Sequence, residues 1–343
     1  MNKHLITLST RDTQQLQFDC RENEDVISAA ERHNIILPQQ CRSGACGYCT
    51  ATIVKGDYIL SNYNKAALSD EQHAQQYTLL CRTYPKSDLH IAANYNYSLI
   101  RLGNIPEASF TIIEKQFLTA HVIRLVLQQS NTMDNLLSAN IIAGQYMYLM
   151  PSDKSIKRAY SLANFANWQG QLEFLIFLQP EGQFSRFLQN ATKGDRMIAA
   201  GPQGNFNLHE NGLKPRWFIA GGTGLSPVLA MLRQMADFQE MHPTHLFFGL
   251  RYAEDIFCEK ELIELKQALP NFNFQICLSR AQPDWTGGYR DSVLNALTSA
   301  LKNIKQSTDI YLCGSDRLVD EILILLKTYK IKSDEIYYER FTG

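Results

Sequence analysis

Four cysteines lie close together near the amino end of the sequence, and their thiols could ligate a metal or carry redox chemistry. They are Cys41, Cys46, Cys49 and Cys81. Residues 1–20 alternate apolar and polar side chains without the apolar run of a signal peptide, so we expect a strand pair and a cytoplasmic location. Because disulfides are rare in the cytoplasm, the eight cysteines of the chain indicate metal or redox chemistry instead.

The spacing of these cysteines is C-x4-C-x2-C, with the fourth cysteine after 31 further residues. This is the spacing of plant-type [2Fe-2S] ligands, in which three thiolates wrap one face of a small cluster. Gly44 and Gly47 permit the tight turn and leave backbone N–H groups to point at the sulfurs. A four-cysteine zinc site is the alternative, but such sites usually use two CxxC pairs and this chain has one. The cysteines without a partner at ligand spacing are expected in the core: Cys20, Cys258 and Cys277.

A glycine-rich segment later in the chain could hold a phosphate. It contains Gly221, Gly222, Thr223, Gly224 and Pro227, it follows an apolar strand, and it opens a predicted helix. This is the context that a phosphate-binding loop requires, although the segment is not the GxGxxG dinucleotide fingerprint. The alternative is a tight strand-to-helix turn without a ligand.

Composition limits the remaining possibilities. The chain has 343 residues, of which 45% are hydrophobic and 20% charged, so we expect two or three globular domains. The formal net charge of −1 lacks the basic excess of a nucleic-acid-binding protein. No apolar run reaches the ~18 residues of a membrane span. We therefore expect neither nucleic acid nor a membrane as a partner.

The elements that must position these residues form three blocks. A helical pattern at 25–34 and short strands surround the cysteines. Strand alternation at 110–113, 122–127, 146–150, 172–178 and 196–199 predicts an antiparallel barrel. Beyond Arg216, strands at 217–222, 245–249, 273–279, 309–314 and 335–341 alternate with helices that begin near 226, 259, 291 and 316. This alternation predicts a doubly wound parallel sheet.

The segment Arg158-Ala-Tyr160-Ser161 resembles the RxYS flavin motif of the ferredoxin–NADP reductase superfamily. The resemblance implies that Arg158 pairs with the flavin pyrophosphate, Tyr160 packs on the isoalloxazine ring and Ser161 hydrogen-bonds near N5. The residue types suit these tasks, because a guanidinium fork matches phosphate oxygens and an aromatic ring matches a flat π-system.

A second segment resembles the place where the same superfamily opens a helix against the flavin pyrophosphate. Its residues are Gly182, Gln183, Phe184 and Ser185. Their N–H groups and the Ser185 hydroxyl would then meet anionic oxygens. The chain departs from the expected pattern at Phe177, where a second basic residue would precede this helix.

Three further segments match the superfamily, at the nicotinamide and beside the flavin. The glycine-rich segment resembles the GGTGxxP loop of the superfamily, which implies that its glycines admit the pyrophosphate and that Thr223 lies near the nicotinamide. Cys313-Gly314 resembles the CG pair beside nicotinamide and flavin. The end of the chain resembles an ExF tail, which implies that Glu339 and Phe341 lie by the flavin. Ser161, Cys313 and Glu339 are thus the expected catalytic residues.

Together the matches cover almost the whole chain and resemble the reductase components of bacterial oxygenases, such as benzoate dioxygenase and soluble methane monooxygenase. The implied fold is multidomain, α+β and α/β, with a plant-type β-grasp ferredoxin at 1–97, an antiparallel FAD-binding β-barrel at 104–208 and a doubly wound parallel-sheet nucleotide domain at 209–343. Electrons would pass from NADH to FAD, then to [2Fe-2S] and to an oxygenase component. The alternatives are a reductase of the same layout in another pathway, such as deoxysugar biosynthesis, and a redox-sensing protein.

The choice of nicotinamide is open between NADH and NADPH. Ser279-Arg280 follows a strand where NADPH-using relatives bind the 2′-phosphate, and Arg251 follows another. An arginine at such a place can accommodate that phosphate. The segment 282–287, however, is similar to that of NADH-using relatives, so we expect NADH.

Overall fold

The computed structural model describes residues 2–40, 42, 44–65, 67–130, 136–210, 212–304 and 306–341. The chain divides into two compact units, one ending at Ile105 and one beginning at Pro106. The second unit contains both the flavin-type barrel and the nucleotide-type sheet. The three domain boundaries inferred from the sequence stay a prediction.

The first unit is a mixed sheet with one main helix packed on it. Its sheet has the order β2-β1-β8-β4-β6, with β1 and β8 parallel and the other pairs antiparallel. Helix α1 begins after Asp25, whose carboxylate accepts a hydrogen bond from the Ser28 N–H at 3.0 Å. The elements are β1 Lys3–Ser9, β2 Gln15–Arg21, α1 Val26–Arg32, β3 Ile35–Ile36, β4 Thr50–Lys55, β5 Tyr58–Leu60, α2 Asp70–Ala74, β6 Tyr77–Leu79, β7 Thr83–Pro85, β8 Leu89–Ala93 and β9 Arg101–Leu102.

The second unit begins with six antiparallel strands in the order β13-β12-β15-β10-β11-β14. An antiparallel bridge between Leu162 and Phe174 joins the two ends of this sheet, so the strands close into the predicted barrel. Five of these strands match the predicted ones; β13, which carries Arg158–Ser161, is too short to show alternation in the sequence. The elements are β10 Glu107–Phe117, β11 Val122–Gln129, β12 Tyr146–Pro151, β13 Arg158–Ser161, β14 Gln171–Phe177, α3 Gln183–Asn190 and β15 Arg196–Gln203.

The rest of the second unit is a five-stranded sheet in the order β18-β17-β16-β19-β20, and every neighbouring pair is parallel. This order confirms the predicted doubly wound sheet, with its topological switch point between β16 and β19. No helix of the described ranges has the length and apolar composition that a membrane crossing requires. The elements are β16 Arg216–Gly221, α4 Leu225–Asp237, β17 Thr244–Leu250, α5 Glu259–Ala268, β18 Phe272–Leu278, α6 Val293–Leu301, β19 Asp309–Ser315, α7 Asp316–Thr328 and β20 Ile336–Phe341.

Candidate functional site

Three of the four predicted cluster ligands lie buried in the first unit. Cys46 and Cys49 belong to the loop that leads into β4, and Cys81 lies in a short helical turn after β6. The Sγ atoms of Cys49 and Cys81 are 3.3 Å apart without forming a disulfide. The backbone N–H of Tyr48 donates to Cys46 Sγ at 3.4 Å. Cys41, the fourth predicted ligand, lies outside the described residues.

The loop can turn this tightly because of Gly44. Its φ of +74° is in the left-handed region, and a Cβ there would lie 2.8 Å from the Arg82 Cγ and 2.9 Å from the Tyr63 Cβ. The loop therefore passes against the segment that carries Cys81, as a shared ligand set requires.

Cys49 lies where a thiolate would be unfavourable without a nearby cation. The neighbouring Cys81 thiol and burial raise the pKa of Cys49 well above its ordinary value, and Cys46 adds to the effect. A bound iron would offset this penalty, because metal charge stabilises a thiolate in a dry site. The buried thiols, their close spacing and the N–H donor at sulfur fit a [2Fe-2S] cluster.

The flavin motif occupies β13 at one end of the barrel sheet. Arg158 is exposed, and its guanidinium donates to the Lys157 carbonyl at 2.9 Å. The Tyr160 ring packs against Phe184 with centroids 5.4 Å apart, and burial raises the pKa of the Tyr160 phenol. An accessible cation beside an aromatic pair is a donor set that fits a flavin and its pyrophosphate.

Helix α3 begins at the predicted place. Gly182 is its N-cap and has no side chain with which to cap the first amides, while Gln183 is exposed and Ser185 is buried. Uncapped amides at a helix N-terminus favour an anion. At Phe177, where a basic residue was expected, the ring lies 6.0 Å from the ring of His121.

The barrel and the nucleotide-type sheet meet at three predicted residues. The Ser161 hydroxyl donates to Glu339 Oε2 at 2.7 Å, although 178 positions separate them in the chain. Cys313 lies opposite Glu339 in the pairing of β19 with β20, and its Sγ is 3.9 Å from the same oxygen. Burial and the Glu339 carboxylate raise the pKa of Cys313 well above its ordinary value, so Cys313 stays a neutral thiol. All three side chains are at least nine-tenths buried.

The glycine loop lies directly against this group. Gly224 has no room for a side chain, because a Cβ would be 2.3 Å from the Cys313 carbonyl oxygen and 3.1 Å from the Gly314 nitrogen.

The other predicted nucleotide residues lie near this loop. Gly222 and Thr223 are half-buried, and Pro227 is buried in the first turn of α4, where proline is tolerated. Phe341 ends β20, half-buried. Gly221 ends β16, so the loop and the Cys313–Gly314 pair both lie at the switch point of the sheet. This arrangement fits a nicotinamide nucleotide.

One contact of this region involves a residue that the sequence pattern does not single out. The Ser226 hydroxyl, in the first turn of α4, donates to the Ser161 carbonyl at 2.8 Å. It also accepts from the Leu175 N–H at 3.4 Å. The only sequence signal is a hydroxyl between the glycine loop and Pro227, which also suits an ordinary helix start.

Replacing Cys313 by alanine is expected to slow flavin reduction by NADH. A thiol at the carboxyl end of β19 can help hold the nicotinamide ring against the flavin, and alanine removes that contact. Anaerobic stopped-flow bleaching of the flavin measures the rate, and photochemical reduction of the protein should stay normal. A lower melting temperature with an unchanged bleaching rate would show that Cys313 is only a buried core residue, whose truncation typically costs ~0.5–3 kcal/mol.

Comparisons with known proteins identify the domains of the chain. A family model for the 2Fe-2S iron-sulfur cluster binding domain matches residues 9–86, one for the oxidoreductase FAD-binding domain matches 109–208, and one for the oxidoreductase NAD-binding domain matches 218–322. The chain therefore has the domains that bind [2Fe-2S], FAD and NAD.

Solved structures with the same fold include two reductases. The cytochrome P450 reductase GcoB of Amycolatopsis aligns with a TM-score of 0.76 and 24% identity, covering 98% of this chain and 99% of that one. The ferredoxin reductase of carbazole 1,9a-dioxygenase aligns with a TM-score of 0.73 and 23% identity over all of both chains.

Curated relatives share more of the sequence. Methane monooxygenase component C of Methylosinus trichosporium is 39% identical over 75% of this chain and 76% of its own. The toluate 1,2-dioxygenase electron transfer component of Pseudomonas putida is 31% identical over 99% of both chains. The anthranilate 1,2-dioxygenase electron transfer component of Acinetobacter baylyi is 30% identical over 98% of this chain and 97% of its own. The chain thus belongs to the iron–sulfur flavoprotein reductases that serve as electron transfer components of multicomponent oxygenases, within the ferredoxin–NADP reductase superfamily.

Proposed function

We propose that this protein is the NADH-dependent reductase of a multicomponent oxygenase and delivers electrons, by way of FAD and [2Fe-2S], to an oxygenase component. The observation that carries the proposal is the contact of Ser161, the last residue of the flavin motif, with Glu339 of the nucleotide-type sheet, which in turn contacts Cys313. A nicotinamide bound at the glycine loop and a flavin bound at the barrel would therefore lie next to each other. The names of the relatives support an oxygenase as the acceptor.

The cofactors divide the chemistry, because FAD accepts two electrons together and releases them singly whereas an iron–sulfur cluster carries one. The chain supplies binding and orientation. In the proposal, Arg158 and the α3 amides hold the flavin pyrophosphate, and Tyr160 and Phe341 pack against its ring. Glu339 accepts the Ser161 hydroxyl proton and so holds this hydroxyl in place beside the flavin ring.

The remaining assignments are part of the same proposal. Gly221–Gly224 and Pro227 shape the nucleotide loop, and Cys41 joins the three buried cysteines as the fourth cluster ligand. A cytoplasmic location suits a protein whose described cysteines are free thiols.

NADH is expected to be the better nicotinamide. The Arg280 guanidinium, the candidate contact for a 2′-phosphate, donates instead to the Tyr252 hydroxyl at 2.7 Å. Its backbone N–H also donates to the Arg251 carbonyl at 2.9 Å, so the two arginine segments adjoin at the edge of the sheet. Measured kcat/KM values for NADH and NADPH decide the question, and a tenfold advantage for NADPH would overturn the preference.

Replacing Tyr252 by phenylalanine should lower the ratio of kcat/KM for NADH to that for NADPH. The substitution removes the hydroxyl that holds Arg280 and so releases the guanidinium for a 2′-phosphate.

The proposed function is tested with purified protein, NADH and two acceptors. We expect reduction of cytochrome c at roughly tens per second, as for an ordinary enzyme. We also expect NADH consumption coupled to substrate hydroxylation when a cognate oxygenase component is added. Cytochrome c reduction without such coupling to any candidate oxygenase would favour a reductase of another pathway. Turnover slower than about one per minute would favour a redox-sensing protein.

A further inference from the structure

Helix α4, which starts at the glycine loop, is fastened to the barrel at two points on one face. The first point is Ser226, which is 1% exposed. Its hydroxyl bridges the Ser161 carbonyl at the end of β13 and the Leu175 N–H of β14. A helix that packs only by apolar contact would leave these backbone groups to other partners.

The second point is Arg233, seven residues further along α4. Seven residues are two turns, about 10 Å, so Arg233 lies on the same helix face as Ser226. Its Nη1 donates to the Ala163 carbonyl at 2.9 Å and to Glu173 Oε2 at 2.8 Å. Its Nη2 donates to Glu173 Oε1 at 3.3 Å, which makes the pair two-pronged.

The two points contact barrel residues with the same spacing along two neighbouring segments. Their carbonyl acceptors, Ser161 and Ala163, are two residues apart, and their contacts on β14, Leu175 and Glu173, are also two residues apart. The bridge between Leu162 and Phe174 ties these segments together midway. Sliding or rotating α4 would therefore break both points at once.

A charged network makes the second point rigid. Arg233 also donates to Glu261 Oε2 of α5 at 2.7 Å, and Glu261 in turn contacts Arg124 of β11. Arg124 Nε lies 3.2 Å from Glu173 Oε1, so an arginine and a glutamate of the barrel join an arginine and a glutamate of the helices in one network. Each charge has partners of opposite sign, which offsets the cost of their partial burial.

We propose that Ser226 and the Arg233–Glu173 pair are positioning residues for hydride transfer: they fix the glycine loop, and the nicotinamide it holds, against Ser161 of the flavin side. The inference rests on the proposed function. Hydride transfer moves two electrons and one proton together from dihydronicotinamide to flavin, so no further reactant is needed. Its rate depends steeply on the approach of the two rings, and a misplacement of 1 Å can cost on the order of a hundredfold.

This role predicts that substitutions at the contact change the rate of flavin reduction but not the binding of NADH or flavin. The nucleotide loop lies on the α4 side of the contact, whereas Arg158, Tyr160 and α3, which are proposed to hold the flavin, lie on the barrel side. Weakening the contact should therefore leave the Kd of NADH and the flavin content unchanged, while the limiting rate of flavin reduction falls. The primary deuterium isotope effect on that rate should rise, because the donor and acceptor are held less closely.

The experiment uses Ser226→Ala on the helix side and Glu173→Gln on the barrel side. The control is Ser299→Ala, since Ser299 is exposed on α6 and its hydroxyl donates only within its own helix, to the Asn295 carbonyl at 3.0 Å. Stopped-flow reduction with NADH and with its deuterated form gives the limiting rate, the Kd and the isotope effect. Amide hydrogen exchange of residues 222–226 gives a readout that is independent of activity.

We expect both variants to lower the limiting rate about five- to fiftyfold, with a larger isotope effect and faster exchange at residues 222–226, and the control to match the unmodified protein. Unchanged rates and isotope effects in both variants would overturn the inference. So would a loss of flavin or of NADH affinity that accounts for the whole rate change, because the contacts would then build a binding site rather than set a distance. Failure of NADH to reduce the unmodified protein would instead overturn the proposed function.

Discussion

Replacing Cys81 by serine is expected to abolish electron transfer from NADH to cytochrome c while sparing the reduction of ferricyanide. Serine is a poor ligand for iron at a site built for thiolates, so the cluster should be lost or destabilised. Ferricyanide can take electrons at the level of the flavin, whose predicted residues all lie in the second unit. The measurement is the ratio of the two acceptor activities together with the visible iron–sulfur absorbance.

Cys20→Ser is the matched control for this variant. Cys20 is buried in the same unit, and its thiol contacts the Glu24 carbonyl at 3.3 Å, an acceptor that a serine hydroxyl can also use. Burial raises the pKa of Cys20 to about 12, as for an unligated core thiol. The control should keep both activities and the cluster spectrum. A Cys81→Ser protein with an unchanged cluster spectrum would contradict the ligand assignment.

Replacing Arg158 by alanine is expected to weaken flavin binding about ten- to a hundredfold. The reason is the loss of a charge-assisted, two-pronged phosphate contact, worth ~1.5–3 kcal/mol. Flavin content after purification and the Kd of added FAD measure the effect. Arg317→Ala is the control, because Arg317 is an exposed arginine on α7 that pairs with Glu321 at 2.9 Å. A variant with full flavin and an unaltered Kd would show that the site lies elsewhere, and extraction of FMN would refute FAD.

The parts of the site that the sequence predicts are those set by short spacing. The cysteine loop needs glycines where the chain turns back on itself, and Gly44 has the positive φ that only such a turn demands. Likewise, α3 begins directly after Gly182. The nucleotide loop begins where β16 ends, at the switch point of the sheet. In each case a few neighbouring residues determine the local geometry.

Other features depend on the tertiary fold and leave weak traces in the sequence. The proximity of Ser161 to Glu339 follows from the family resemblance and from no local pattern, because it depends on how a strand end of the barrel meets the last strand of the sheet. Ser226 and Arg233 look like ordinary residues of an amphipathic helix. Cys258, expected in the core, is only half-buried: it precedes α5 with a φ of +57°, and Arg124 donates to its sulfur at 3.3 Å.

The most direct test of the proposed electron path is an anaerobic titration of the purified protein with NADH, followed by visible absorbance and by the electron paramagnetic resonance signal of the reduced cluster. The path predicts that NADH bleaches the flavin and that the cluster signal then appears. In flavin-depleted Arg158→Ala protein that retains its cluster, NADH should produce no cluster signal, and added FAD should restore it. A cluster signal that NADH produces without flavin, or a fully loaded protein whose cluster NADH never reduces, would contradict the account.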